Sequence, residues 1–221
     1  MDEMNAVYIH IPKTAGGHTM VALGLEKHIY PSRAKRWFKN AGHVSFGHQD
    51  YPRLVEKGIV GAEFDRSAFK FCFCRNPFDR AVSHYFWTKG RHPEIVTEDT
   101  SFLEFTRNLD RIKVPIRGDG RVQHKHKPVG LRNGRKGWFD PQHKMIDKVK
   151  MDFIGRYERL KEDLQKVAEI LDKEVRRAGK LRKTEHAPYR TYYNDEAEEN
   201  VRQYYGEDFE RFGYDNRLLH G

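Results

Sequence analysis

Cysteine is scarce in this chain. Only Cys72 and Cys74 are present, too few for a disulfide framework. They stand two apart on an apolar run, and on a strand such residues share a face at a spacing too wide for disulfide geometry. Both read as buried thiols, and a reducing, cytoplasmic setting is expected. Long hydrophobic runs are also lacking: none approaches the ~20 residues that span a bilayer. Residues 1–5 carry no basic segment followed by an apolar one, so no signal peptide is expected. There is no internal repeat and no linker-like stretch, so a single domain over residues 1–221 is expected.

What is abundant is charge. Charged residues make up 33% of the chain and the net charge is +9. An anionic partner follows, whether nucleotide, glycan, membrane surface or nucleic acid. The cations crowd between Arg111 and Lys136, where Asp119 is the one acidic residue. That stretch reads equally as a solvated loop or as an electrostatic funnel for an anionic donor or acceptor. No helix has a clean basic face, which leaves a nucleic-acid module with charge as its only support.

Patterning along the chain alternates strand and helix. Residues 6–11 are β-prone and stop at Pro12. Gly16-Gly17 follow, then a helical stretch over 19–28. A short strand over 44–46 ends in Gly47-His48. Residues 68–74 are nearly all apolar, as for a strand buried on both faces of a parallel sheet. Pro77 and Asp79 open a helix over 78–89. Ser101 caps a helix over 102–109. A short strand occupies 153–155. Leu160, Leu164, Val167, Leu171 and Val175 recur every three or four residues, as on an amphipathic helix. Asn194 caps a last helix running to about Tyr205, with Asp195 and Glu196 in its first turn. The predicted fold is α/β, a three-layer sandwich around a central parallel sheet.

Two strand ends carry chemistry. After the first strand comes Lys13-Thr14-Ala15-Gly16-Gly17-His18-Thr19. A glycine turn entering a helix presents backbone N–H groups to an anion. The lysine adds a positive charge, and the Thr14 and Thr19 hydroxyls are potential donors. The lysine precedes the glycines, so this is not the G-x-x-x-x-G-K-[ST] loop of nucleotide kinases. After the second long strand comes Arg75-Asn76-Pro77-Phe78-Asp79-Arg80-Ala81-Val82-Ser83. Its arginine fork and a serine two helical turns later can converge on one phosphate. Neither strand ends in an acidic residue suited to Mg²⁺, and no metal is expected.

The runs IHIPKTAGG and FCFCRNPFDRAVSHYF resemble the carbohydrate branch of the 3′-phosphoadenosine-5′-phosphosulfate (PAPS) dependent sulfotransferases. That family has a PKTAGT-like 5′-phosphosulfate loop and an RNPxDRxxS-like 3′-phosphate motif. FIGRYERLKEDLQKV is similar to its later strand–helix segment, and residues 189–214 to the C-terminal end of its bacterial and viral members. The resemblance implies a P-loop-like fold and sulfuryl transfer from PAPS to a hydroxyl, with a carbohydrate as the expected acceptor and 3′,5′-ADP as product. It implies that Lys13 contacts the bridging and sulfuryl oxygens, that Thr14, Gly16 and Gly17 lie along the 5′-phosphate, and that Arg75 and Ser83 hold the 3′-phosphate. Gly17-His18 departs from the hydroxyl residues common at those positions, so that contact is either lost or passes to Thr19. The family's usual base is a histidine or a carboxylate between the motifs, where a Gly-His pair often occurs. Here it is Gly47-His48, with His43 as the rival. Trp87 and Trp138 are candidates to stack on a sugar ring. A P-loop kinase remains the alternative enzyme class.

Overall fold

The computed structural model describes residues 4–27, 38–112, 137–177 and 186–218. Most of the basic stretch, residues 113–136, lies outside the described residues. Five strands, β1 (Ala6–Tyr8), β2 (Glu26–Lys27), β3 (His43–Ser45), β4 (Phe69–Cys74) and β5 (Phe153–Arg156), form one sheet in the order β2-β3-β1-β4-β5. All four pairings are parallel. The chain leaves β1 towards one edge of the sheet and leaves β4 towards the other. The neighbouring carboxyl ends of β1 and β4 therefore frame the crevice where open parallel sheets bind ligands.

Alternation along the strands distributes the core. Val7, Cys72 and Cys74 face one side, packed with Leu54 of α2 (Tyr51–Glu56), Phe64 of α3 (Ala62–Ser67), Met145 of α6 (Gln142–Met145) and Phe212 of α9 (Gly206–Phe212). Ala6, Tyr8, Phe71 and Phe73 face the other, under Ala22 of α1 (Gly16–Ala22) and Leu164, Val167 and Ala168 of α7 (Leu160–Ile170). A third cluster joins α4 (Pro77–Arg91), α5 (Phe102–Arg107), α8 (Asp195–Tyr204) and α9 through Phe78, Phe105, Val201 and Phe209. The all-parallel sheet covered on both faces is the α/β sandwich expected from the alternating elements. Cys72 and Cys74 are free and buried, and burial holds the Cys72 thiol up and lifts Cys74 to about 11.

Several boundaries differ from the expectation, for local reasons. The first helix begins three residues early, at Gly16, and stops at Ala22. Its end is a Schellman turn: Gly24 takes φ 58°, Leu25 N–H reaches the Met20 carbonyl and Gly24 N–H the Val21 carbonyl. Glycine adopts that conformation without penalty. α7 ends by the same device, with Asp172 at φ 50° and Lys173 N–H on the Ala168 carbonyl. Val175 consequently lies beyond the helix and is exposed. The two expected caps hold: Ser101 accepts from Glu104 N–H at 3.1 Å and Asn194 from Ala197 N–H at 2.9 Å.

One buried carboxylate ties the C-terminal helices to the sheet. Asp208 on α9 is fully buried and accepts from the Gln142 and His143 backbone N–H groups and from His143 Nδ1 at 2.7–2.8 Å. Gln142 in turn brackets the residue after β4: its amide oxygen accepts from Arg75 N–H at 2.9 Å, and its amide nitrogen donates to the Arg75 carbonyl at 2.8 Å. Asp208→Ala strands three buried donors, and each costs roughly 1–3 kcal/mol when left unpaired. We expect a loss of at least about 3 kcal/mol in urea unfolding; a midpoint like the wild type's would contradict this role.

Candidate active site

The loop between β1 and α1 is wound by two left-handed residues, Lys13 (φ 68°) and Ala15 (φ 65°). Non-glycine residues take such angles only where their surroundings enforce them. Handedness alternating along a short segment curls successive N–H groups to one side, which makes an anion-binding concavity. Ala15 precedes the helix without a side-chain cap. The first intrahelical bond is Thr19 N–H to the Ala15 carbonyl, so the N–H groups of Gly16, Gly17 and His18 have no partner within the helix.

The threonines of this loop face inward. Thr14 is fully buried and spends its hydroxyl proton on the Ile11 carbonyl at 2.9 Å, so it braces the turn from within. Thr19 is fully buried beside the Tyr8 phenol. The glycines differ from one another. A Cβ on Gly16 would fall within 2 Å of His10 ring atoms, whereas one on Gly17 would meet nothing within 4 Å. Gly16 is thus required by the close approach of His10, and Gly17 borders open space.

Two further strand ends bring other residues to this loop. After β4, Arg75 donates from Nη1 to the Lys13 carbonyl at 3.2 Å, which joins the two sequence motifs directly. Its Nε and Nη2 form a fork on Asp79 at 2.7 and 2.8 Å. Ser83 lies buried on α4, and no hydrogen bond to its hydroxyl is found among the described residues. After β3 the chain reaches His48, whose Nδ1 lies 3.0 Å from the His10 carbonyl. A carbonyl only accepts, so Nδ1 carries the proton and Nε2 keeps its lone pair. His48 is packed between the His10 ring, 3.9 Å between centroids, and Trp138, 4.4 Å. Trp138 stacks on Trp87 at 4.7 Å, and the Lys13 amine lies 5.8 Å from the Trp87 ring centroid. His43 sits elsewhere. It is buried at the amino end of β3, paired in register with Ala6, and its Nε2 meets the Met4 carbonyl at 2.7 Å.

Two residues that the sequence reading passed over complete the cluster. Arg80 is fully buried; its Nε donates to the Pro12 carbonyl at 3.1 Å and its Nη2 to the Trp138 and Asp140 carbonyls at 3.3 and 3.1 Å. It thereby clamps the loop to the Trp138 segment, while its Nη1 has no partner among the described residues. Its signal was an arginine flanked by apolar Phe78, Ala81 and Val82 on a helix with little solvent-facing surface. His84, behind it, is fully buried with both ring nitrogens unpartnered among the described residues. No pattern in the sequence marks that.

The electrostatics follow from burial and crowding of cations. Burial, then the charges of Arg75, Arg80 and Arg91, bring the Lys13 amine down to about 8. Burial and the nearby Lys27, Lys13 and Arg80 bring the His48 imidazole down to about 4, against the opposing pull of its bond to the His10 carbonyl. His10 and His84 are likewise held well below the ordinary histidine range, chiefly by burial. The site therefore concentrates cations and keeps its imidazoles neutral. Its chemistry suits an anion with several oxygens. No cluster of three or more metal-ligating side chains occurs among the described residues, and no described helix is long and apolar enough to cross a membrane.

The contrast between the two glycines is testable by thermal melts. Gly17→Ser should stay within about 0.5 kcal/mol of wild type. Gly16→Ala must displace a packed ring, which typically costs about 1–3 kcal/mol. Equal melting temperatures for the two variants would contradict the packing described.

A model of the sulfotransferase family matches residues 1–215. No curated protein matches the chain.

Proposed function

Given that the chain belongs to the sulfotransferase family and so transfers a sulfuryl group, we propose that PAPS is its donor and a carbohydrate hydroxyl its acceptor. The observation that carries the donor assignment is the Arg75 hydrogen bond to the Lys13 carbonyl. It puts a loop suited to a phosphosulfate and an arginine suited to a second phosphate within reach of one nucleotide. The fit of the residues supports it too: Lys13 in the loop is joined by Arg75 and Arg80, and Arg80 Nη1 is a buried donor without an acceptor among the described residues. The acceptor class rests on the sequence resemblance and on the half-buried Trp87–Trp138 pair beside Lys13 and His48, an aromatic wall for a sugar ring.

When bound, the donor supplies a sulfuryl group on a phosphosulfate O–S bond that breaks as the acceptor oxygen bonds to sulfur. In this reading His48 Nε2 removes the acceptor's proton, its tautomer set by the His10 carbonyl. Lys13 and the N–H groups of Gly16 and Gly17 stabilise the negative charge that grows on the departing phosphate. Arg75 and Ser83 hold the 3′-phosphate. Arg80 keeps the loop in place from behind.

Radiolabelled sulfuryl transfer from PAPS across a panel of glycan acceptors tests these roles. Lys13→Ala and His48→Ala should each lower kcat on the order of 10²–10³-fold, and Arg75→Ala should mainly raise the Kd for 3′,5′-ADP. A folded Lys13→Ala protein with wild-type transfer would remove the donor-site assignment. Tighter binding of Mg·ATP than of 3′,5′-ADP would favour kinase chemistry instead.

The pH dependence of kcat/KM gives a separate check, since it reports the free enzyme. A lowered histidine pKa keeps His48 neutral, and able to accept a proton, until the pH falls towards about 4. A lowered lysine pKa means that Lys13 loses its charge above about 8. The profile should rise through about 4 and fall through about 8, and Lys13→Arg should move the basic limb upward. An acid limb near 6.5, the ordinary histidine value, would show that His48 titrates as an exposed imidazole.

A further inference from the structure

The Arg75 guanidinium is held on three sides before any nucleotide arrives. Asp79, in the first turn of α4, takes Nε and Nη2 as a bidentate pair. The Lys13 carbonyl takes one N–H of Nη1. The guanidinium lies over the Tyr157 ring, 4.0 Å from Cζ to the ring centroid. Tyr157 itself is seated at the end of β5, where its neighbour Glu158 accepts from the Asn76 N–H at 2.7 Å and from the Tyr214 hydroxyl at 2.8 Å. A guanidinium has five N–H donors; three are committed here, which leaves one on each terminal nitrogen.

We propose that Asp79 and Tyr157 are positioning residues that hold Arg75 as a receptor for a nucleotide's 3′-phosphate, and so set the preference for a 3′-phosphorylated donor. The inference rests on the donor reading above. A free arginine side chain samples many rotamers, and ordering it when a ligand binds costs affinity. Asp79 meets that cost in advance. Its carboxylate also offsets part of the arginine's charge, but Lys13 and Arg80 keep the surroundings positive. Asp79 therefore contributes direction at a modest loss of attraction. Tyr157 contributes a flat surface that favours one plane for the guanidinium.

Calorimetric titration of 3′,5′-ADP and of 5′-AMP, which lacks the 3′-phosphate, separates positioning from bulk stability. The wild type should prefer 3′,5′-ADP. Asp79→Asn and Tyr157→Ala should each cut that preference by roughly tenfold, the scale of one charge-assisted hydrogen bond, with 5′-AMP affinity unchanged. Tyr157→Phe, which keeps the ring, should retain the preference. The Tyr157 pair carries the test should Asp79→Asn fail to fold. An unchanged preference in both Asp79→Asn and Tyr157→Ala overturns the inference, as does an equal fall for the two nucleotides. Tighter 3′,5′-ADP binding by Asp79→Asn overturns it as well, because Asp79 would then compete with the phosphate. A wild type indifferent to the 3′-phosphate overturns the donor reading and this inference together.

Discussion

The contact between the Arg75 guanidinium and the Lys13 carbonyl is the constraint on which the rest of the site depends. It spans the carboxyl ends of β1 and β4, neighbours in the sheet though 62 positions apart in sequence. Everything near it serves to keep the two partners in register. Gln142 fixes the Arg75 backbone from one side, and Asp208 fixes Gln142. Arg80 reaches the carbonyl just before Lys13 from the other side. The parallel topology alone would bring the two loops to the same edge; these polar contacts turn adjacency into a defined geometry.

Charge is arranged with equal economy. Lys13, Arg75 and Arg80 lie close together, and their mutual repulsion is answered by backbone carbonyls and by the Asp79 carboxylate. Burial keeps His10, His48 and His84 uncharged, and cations of this cluster add to it at His48 and His84. A histidine surrounded in this way is a weak base in isolation. An incoming polyanion would reverse the field around it, and proton affinity at Nε2 would rise when substrate is in place.

Much of this was legible in the residues. β4 could be read because six apolar or stem-bearing side chains in a row leave no solvent face, and α8 because Asn194 and the acids after it announce a helix start. The motif residues Lys13 and Arg75 could be placed after strands because a proline, Pro12 or Pro77, interrupts each β-prone run. Other elements carried too little pattern. β2 is two exposed residues on a sheet edge, and α2, α3, α6 and α9 are one or two turns each, shorter than the span over which helical periodicity registers. Pro52 near the start of α2 was a usable signal. Thr14 looked like a phosphate contact from its neighbours, yet its hydroxyl turns inward, since an unpaired Ile11 carbonyl beneath a tight loop needs a donor. The roles of Gln142 and Asp208 depend on contacts 65–67 residues apart, and local sequence does not encode them.

The stacked indoles have a practical corollary. Two of the three tryptophans in the chain lie face to face, one against the His48 imidazole and the other near the Lys13 ammonium. An indole's emission responds to charge and water beside it. These two indoles thus stand beside the loop that carries Lys13 and beside His48, where a change of charge or water on ligand binding would alter their emission without a label.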